Sequence, residues 1–358
     1  MADSHSLDAS ADLDVVRRKV TTCLEEFLGE KARQASALGA ASEVPLTLRQ
    51  FITAGGKRIR PLLCVMGWQA AGGSGSPETV IRLAAALELY QAFALIHDDV
   101  IDQSATRRSQ PAVHRALADR YAAARETDHL GVSAAILIGN MALTWSDELV
   151  TEADIAPSRR VLVGRVLDAM REEMHYGQYL DLLAPLGALE DQQLPLTVAR
   201  FKTAKYTVER PLHVGATLAG ADTALLGLLS RFALPLGEAF QLRDDLLGVL
   251  GDAATTGKPV LDDLREGKRT VLLAIAAQRA DPGQRSVLRR WVGDPLLDEE
   301  GASAVRSVLK ATDAPAAVEK MIAVRYEESL AVLKQARIPS AAASALERIA
   351  SLSIHRDA

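Results

Sequence analysis

The stretch Phe93-Ala94-Leu95-Ile96-His97-Asp98-Asp99-Val100-Ile101-Asp102 reads as the end of a long apolar helix that closes on acids. Pro77 and Glu78 open that helix, and Leu83, Leu87, Leu95 and Ile96 carry it to about Asp102. Residues four apart stack on one helical face, so Asp98 and Asp102 share a side. Two carboxylates so placed repel by about 0.2–0.5 kcal/mol on an exposed helix. A solvated acidic helix end would tolerate that. The apolar flanks argue for charges held out of bulk water, and such charges are paired or bind metals. Mg²⁺ suits the pattern, because it takes one or two carboxylates, keeps waters and shares phosphate oxygens.

Working outward, Gly72–Pro77 is a linker, and the helix before it is expected to begin at Pro61. Leu13 to Leu28 reads as an amphipathic helix. Further helices are expected near 111–124, 131–152, 157–183, 195–219, 222–250, 269–280, 284–292, 300–311, 314–336 and 339–352. No strand-like alternation bounded by turns stands out. Gly251–Gly267 reads as a long polar loop, a length usually kept for function or disorder. No repeat or composition shift divides the chain. The expectation is an all-α protein with a disordered tail over 1–12 and a single helical domain over 13–354.

Composition agrees. Of 358 residues, 48% are hydrophobic and only 4% aromatic, which favours a helical core over a β-sandwich or barrel. With 41 basic against 46 acidic side chains, the net charge of -5 argues against a general nucleic-acid binder. Cys23 and Cys64 form neither a CxxC pair nor a zinc spacing and read as ordinary thiols in a reducing cytosol. The start carries Asp3, Asp8, Asp12 and Asp14 with no apolar core, unlike a signal or transit peptide. The best apolar runs, Ala134–Trp145 and Leu225–Leu236, are short or broken by Asn140 and Arg231, so no integral membrane segment is expected.

A second acidic pair, Asp244-Asp245, ends another apolar stretch at Phe240-Gln241-Leu242-Arg243. Gly248 stands four residues on, so this pair alone is equally consistent with an ion pair to Arg243 or a surface role. Gly55-Gly56-Lys57-Arg58-Ile59-Arg60-Pro61 sets three cations after two glycines and before a helix start, a place where an anion can be approached. Arg107, Arg108, Lys202, Lys258 and Lys268 add to the set. Each alone would read as a surface charge.

Taken in order, these segments resemble the trans-isoprenyl diphosphate synthases of the polyprenyl synthetase family. The resemblance runs from about Phe51 to Lys268. It rests on GGKRIRP at Gly55–Pro61, Asp98–Asp102 followed by Arg107-Arg108, and Gly177-Gln178-Tyr179-Leu180-Asp181-Leu182. Phe201-Lys202-Thr203, Phe240-Gln241 with Asp244-Asp245, Thr256-Gly257-Lys258 and Lys268 complete it. It implies the isoprenoid synthase fold, antiparallel helices around a deep central cavity, usually as a homodimer. It also implies condensation of an allylic diphosphate with isopentenyl diphosphate. On this resemblance Asp98, Asp102 and Asp244 would bind Mg²⁺ on facing walls, with Asp262 behind them. Arg107, Lys202 and Lys258 would hold the allylic diphosphate. Lys57, Arg60, Gln91 and Arg108 would hold isopentenyl diphosphate, with Gln91 where many members have His. Lys268 would serve the diphosphates as well. Thr203 and Gln241 would face the carbocation, and the released diphosphate would take the final proton. The loop around Lys258 is expected to close as a lid.

Two positions bear on activity and product. The second motif usually ends in a third acid, and Gly248 makes this a variant of it. Phe93 and Ala94 lie five and four residues before Asp98, where family members set chain length. An aromatic at the fifth alone resembles members making twenty carbons. Geranylgeranyl diphosphate is therefore the expected product, with farnesyl diphosphate the alternative. A terpene cyclase of the same fold and a non-catalytic subunit of a heteromeric synthase are the remaining readings. The basic segment at Gly55–Pro61 argues against the cyclase.

Overall fold

The computed structural model describes residues 12–123, 126–251 and 261–354. Lys258, most of the 251–267 loop and the side chain of Asp262 lie outside the described residues, as does the tail up to residue 11. The all-α expectation holds. The first helices are α1 (Leu13–Ala37), α2 (Glu43–Thr53), α3 (Ile59–Ala70) and α4 (Pro77–Ile101). After a short hairpin come α5 (Val113–Arg120), α6 (Thr127–Glu152), α7 (Pro157–Leu183) and α8 (Gln193–Val198). A π-helical stretch over Ala199–Glu209 leads into α9 (Arg210–Ala219) and α10 (Thr223–Leu250). Then follow α11 (Asp262–Arg265), α12 (Val271–Arg279), α13 (Pro282–Trp291), α14 (Glu299–Ala311), α15 (Ala314–Gln335) and α16 (Ser340–Ile354).

The chain forms two compact units. The first takes the residues up to Leu162 with Val214–Ala221 and Pro339–Ala345. The second takes Val163–His213, Asp222–Ile338 and the end from Leu346.

In the first unit α4 is the core element. Val80, Leu83, Ala84, Leu87, Leu89 and Tyr90 are all buried, so this helix is apolar nearly all round. It packs chiefly on α6 and also on α3 and α1. Gly139 of α6 makes that approach possible, because a Cβ there would lie 2.4 Å from His97 Nε2. Ser76 caps α4 by accepting from the Glu78 amide at 3.2 Å, and Pro77 fills the first turn.

Three sequence expectations are corrected in this unit. The helix placed at Pro61 begins at Ile59, after Arg58 turns the chain left-handed at φ 53°. Proline is tolerated there because first-turn amides have no helical acceptor. The helix α2 was not expected, although Leu48 and Ile52 bury one face of it. Thr106–Arg107 pairs antiparallel with Gln110–Pro111, and Arg108 and Ser109 form its turn at φ 52° and 59°. That two-residue turn normally calls for Asn-Gly, so Arg-Ser gave no hairpin signal.

In the second unit α10 packs on the π-stretch and on α15. Gly237 permits the first contact, since a Cβ on it would fall 2.3 Å from Ala204 Cα. Among the described residues two helices, Pro77–Ile101 and Thr223–Leu250, are long and apolar enough to cross a membrane by length and composition alone. Within the first, 78% of the apolar window is buried inside the fold, as in a core helix.

Candidate active site

In the first unit Asp98, Asp99 and Asp102 end α4, and Arg107 reaches back to them from the hairpin. Its Nε donates to Asp99 Oδ1 at 2.8 Å, and its Nη2 donates to Asp99 and, at 3.3 Å, to Asp98 Oδ2. Asp99 is fully buried, at 0% exposure, and anchors this arrangement. Sequence reading passed over Asp99 because it lies off the Asp98–Asp102 face. Burial works against the Arg107 charge, yet the carboxylates of Asp99, Asp98 and Asp102 outweigh it and hold the guanidinium pKa above its usual value. Arg107 is thus tied to the acids themselves, and Asp98 and Asp102 are left about one helical turn apart beside it.

Beside this cluster the Gly55–Gly56 turn wraps Arg108. Both glycines have positive φ, 113° and 135°, which a side chain would strain. Arg108 Nη1 donates to the Gly55 carbonyl and to the Phe51 carbonyl at 3.3 Å. Burial depresses the Arg108 pKa, Glu88 opposes this, and the charges of Arg58, Arg107 and Arg60 depress it further. Cations that repel one another in this way form a site attractive to an anion. Lys57 is exposed at the rim of the same turn, while Arg60 and Gln91 are half-buried. Arg58 is directed inward, bonded to Glu88 at 2.5 Å and to the Ile52 carbonyl at 2.6 Å. Phe93 is buried, with its ring centroid 5.3 Å from that of Tyr90 and 4.7 Å from that of His97, and Ala94 is half-buried.

In the second unit the π-stretch presents Lys202 and Thr203. Lys202 Nζ donates to Asp181 Oδ2 at 2.7 Å, and Thr203 Oγ1 donates to Gln241 Oε1 at 2.5 Å. Gln241 Nε2 in turn donates to Asp245 Oδ1 at 2.8 Å. Gly177 lets α7 meet this stretch, because a Cβ there would stand 2.5 Å from the Lys202 amide nitrogen. Asp181 follows one turn later, and its place in the Gly177–Leu182 segment was the signal that could have found it. A cavity of about 40 Å³ opens among Lys202, Thr203, Gln241, Asp245, Lys268 and Arg269. Burial pushes the Asp245 carboxyl up to about 7, with Lys268 and Gln241 opposing and Asp263 and Asp244 adding to the rise. Arg243 binds Glu319 at 2.5 and 2.7 Å.

The donor set suits Mg²⁺. Among the described residues no three His, Cys, Asp or Glu side chains are arranged to cage a metal by themselves. Carboxylates in ones and twos, with cations alongside, fit an ion that keeps water and completes its shell with phosphate oxygens.

Comparison with known proteins agrees with this chemistry. The polyprenyl synthetase family matches residues 42–311. A farnesyl diphosphate synthase of Geobacillus stearothermophilus is 33% identical over 273 residues, 72% of this chain and 86% of that protein. A geranylfarnesyl diphosphate synthase of Aeropyrum pernix is 32% identical over 241 residues, 66% of this chain and 71% of that one. A crystal structure of geranylgeranyl pyrophosphate synthase from Corynebacterium glutamicum, complexed with isoprenyl diphosphate and magnesium, has a TM-score of 0.92 at 40% identity. It covers 97% of this chain and 100% of that chain. With motifs, fold and relatives in agreement, the chain belongs to the polyprenyl synthetase family of prenyl diphosphate synthases, prenyltransferases of isoprenoid biosynthesis with the all-α isoprenoid synthase fold.

Proposed function

We propose that the chain, as a single catalytic domain, condenses an allylic diphosphate with isopentenyl diphosphate and releases geranylgeranyl diphosphate. The observation that carries this reading is the cationic turn of Lys57, Arg60 and Arg108 beside the acids of α4. A cyclase, which ionises one diphosphate, has no use for a second anion site. Mg²⁺, when bound, neutralises the leaving diphosphate and so favours its departure. Asp98, Asp102 and Asp244 are the residues that would hold it. Lys202 and Arg107 orient the allylic diphosphate by charge-assisted hydrogen bonds, and Lys258 and Lys268 add positive charge to it. The Thr203–Gln241 pair offers fixed dipoles to the developing cation. Lys57, Arg60, Gln91 and Arg108 position the acceptor diphosphate, whose double bond then attacks. The released diphosphate takes the proton lost from the product.

A homodimer accords with this reading. Leu130, Leu137 and Met141 are exposed at spacings of seven and four on α6, an apolar stripe suited to a second copy. A cytoplasmic location accords with Cys23 and Cys64, both free thiols.

The test is the purified chain with farnesyl diphosphate and Mg²⁺, with and without isopentenyl diphosphate. Turnover should require both substrates. Cyclised hydrocarbon from the allylic substrate alone would indicate a cyclase, and no turnover with either would indicate a non-catalytic subunit.

Lys57→Ala should weaken use of isopentenyl diphosphate roughly 10- to 150-fold, the loss of one charge-assisted bond of about 1.5–3 kcal/mol. Lys57 is exposed, so the fold should survive. Initial rates against each substrate check this, and the allylic KM should move less. Phe93→Ala should shift the products to longer chains, read by chromatography of the dephosphorylated alcohols. Unchanged length would remove Phe93 from the floor of the chain pocket.

A further inference from the structure

The π-stretch of the second unit is wound more widely than the helices around it, and one acid of α7 spans its last turn. Lys205 Nζ donates to Glu173 Oε1 at 2.5 Å, Arg210 Nη2 donates to the same oxygen at 2.7 Å, and Arg210 Nε donates to Glu173 Oε2 at 2.7 Å. The three side chains are only 16% to 19% exposed. Burial works to raise the Glu173 pKa, yet Arg210 and Lys205 outweigh it and hold the carboxyl below its usual range.

Lys205 and Arg210 stand five residues apart. On an α-helix that spacing turns two side chains about 140° from each other. Where each amide bonds five residues back, the wider winding returns them to one side. The backbone shows that winding between the same two residues, because the Arg210 N–H donates to the Lys205 carbonyl. One carboxylate therefore bridges both ends of a π-turn. Lys205 Nζ also lies 5.4 Å from the ring centroid of Phe201, the neighbour of Lys202.

The contact continues along α7. Glu173, Gly177 and Asp181 are four apart and share a face of that helix. Glu173 holds Lys205 and Arg210, Gly177 meets the Lys202 backbone, and Asp181 takes the Lys202 ammonium at 2.7 Å. This face follows the π-stretch turn by turn. Loss of the wide turn would swing Lys202 and Thr203 round relative to Arg210, by about 100° for each residue of register.

We infer that Glu173 is a positioning residue: by clamping Lys205 and Arg210 it keeps the π-turn wound, and so aims Lys202 and Thr203 at the allylic diphosphate and its developing cation. The inference rests on the function proposed above. Glu173 acts through Lys202 and Thr203 and touches no substrate itself.

The test compares Glu173→Gln, Lys205→Met and Lys205→Arg with the wild type, all as the full chain. Initial rates are measured against each substrate, and hydrogen exchange is followed in the substrate-free chain. Glu173→Gln keeps the side-chain shape and removes the charge. It should raise the KM for the allylic diphosphate about 10- to 100-fold, on the scale of misplacing an orienting group by about 1 Å. The KM for isopentenyl diphosphate should stay within about twofold of wild type. Exchange over 199–210 should quicken while α15 keeps its protection. Lys205→Met should move each reading in the same direction. Lys205→Arg, which keeps a cation five residues before Arg210, should stay near wild type. A wild-type allylic KM in Glu173→Gln would overturn the inference. So would an equal loss for both substrates with a fallen thermal midpoint, the mark of a merely structural pair. If Glu173→Gln does not fold, Lys205→Met carries the same outcomes. A wild-type chain without turnover would sink the functional reading. Unchanged exchange over 199–210 in Glu173→Gln would sink the clamp whether or not product forms.

Discussion

Asp98→Asn is expected to lower kcat by at least about a hundredfold while the chain keeps its fold. Asparagine matches aspartate in shape and removes only the charge that would hold a divalent cation at the leaving diphosphate. The local structure tolerates the exchange, because Arg107 keeps its stronger bonds to Asp99, including Nε to Oδ1 at 2.8 Å, and gives up only the 3.3 Å contact to Asp98. Steady-state rates at saturating Mg²⁺ and both substrates, with thermal unfolding alongside, separate the two effects. Normal turnover would show that the Asp98 face of α4 is not the metal face. A collapse in thermal midpoint would place Asp98 among the structural acids with Asp99.

Glu88→Ala should be strongly destabilising at the Gly55–Pro61 turn. Arg58 and Glu88 have side-chain exposures of 6% and 7% and meet at 2.5 Å. Removing the carboxylate takes the charge partner from a buried guanidinium that also donates to the Ile52 carbonyl. Breaking such a pair costs about 3–5 kcal/mol. The paired replacement Arg58→Met with Glu88→Leu should recover much of that stability, since well-packed apolar residues often match a buried ion pair. Denaturant unfolding measures both. Arg58 also fixes the start of α3, so Glu88→Ala should raise the KM for isopentenyl diphosphate as the turn holding Lys57 loosens. A loss under about 1 kcal/mol would mean that the pair is not buried in solution.

Much of the helical layout was legible because its ends are marked by chemistry. Asp222, Thr270 and Asp298 each accept an amide of the first turn of the following helix, and Asp281 with Gln284 forms a capping box. Pro77 and the glycines before it mark the start of α4 in the same way. The elements that sequence reading missed lack such marks. The hairpin turn uses Arg108 and Ser109 in left-handed conformations that those residues do not advertise. The π-stretch has the apolar spacing of any helix, so the feature that presents Lys202 and Thr203 was invisible, although such irregularities often attend functional sites. At the acids, four-residue spacing singled out Asp98 and Asp102 but could not reveal that Asp99, between them, is the buried anchor of Arg107. Pairings across long sequence separations, such as Arg243 with Glu319, Lys202 with Asp181 and Asp263 over Gly248, depend on packing that no local pattern records.

The central claim is that this chain extends an allylic diphosphate and stops at twenty carbons. Purified chain incubated with farnesyl diphosphate, isopentenyl diphosphate and Mg²⁺, followed by dephosphorylation and chromatography, addresses it directly. The account predicts geranylgeraniol as the dominant alcohol, with none formed when Mg²⁺ is chelated. With geranyl diphosphate as the primer, a dominant fifteen-carbon alcohol would contradict the assigned product, and no prenyl alcohol beyond the dephosphorylated primer would contradict the activity itself.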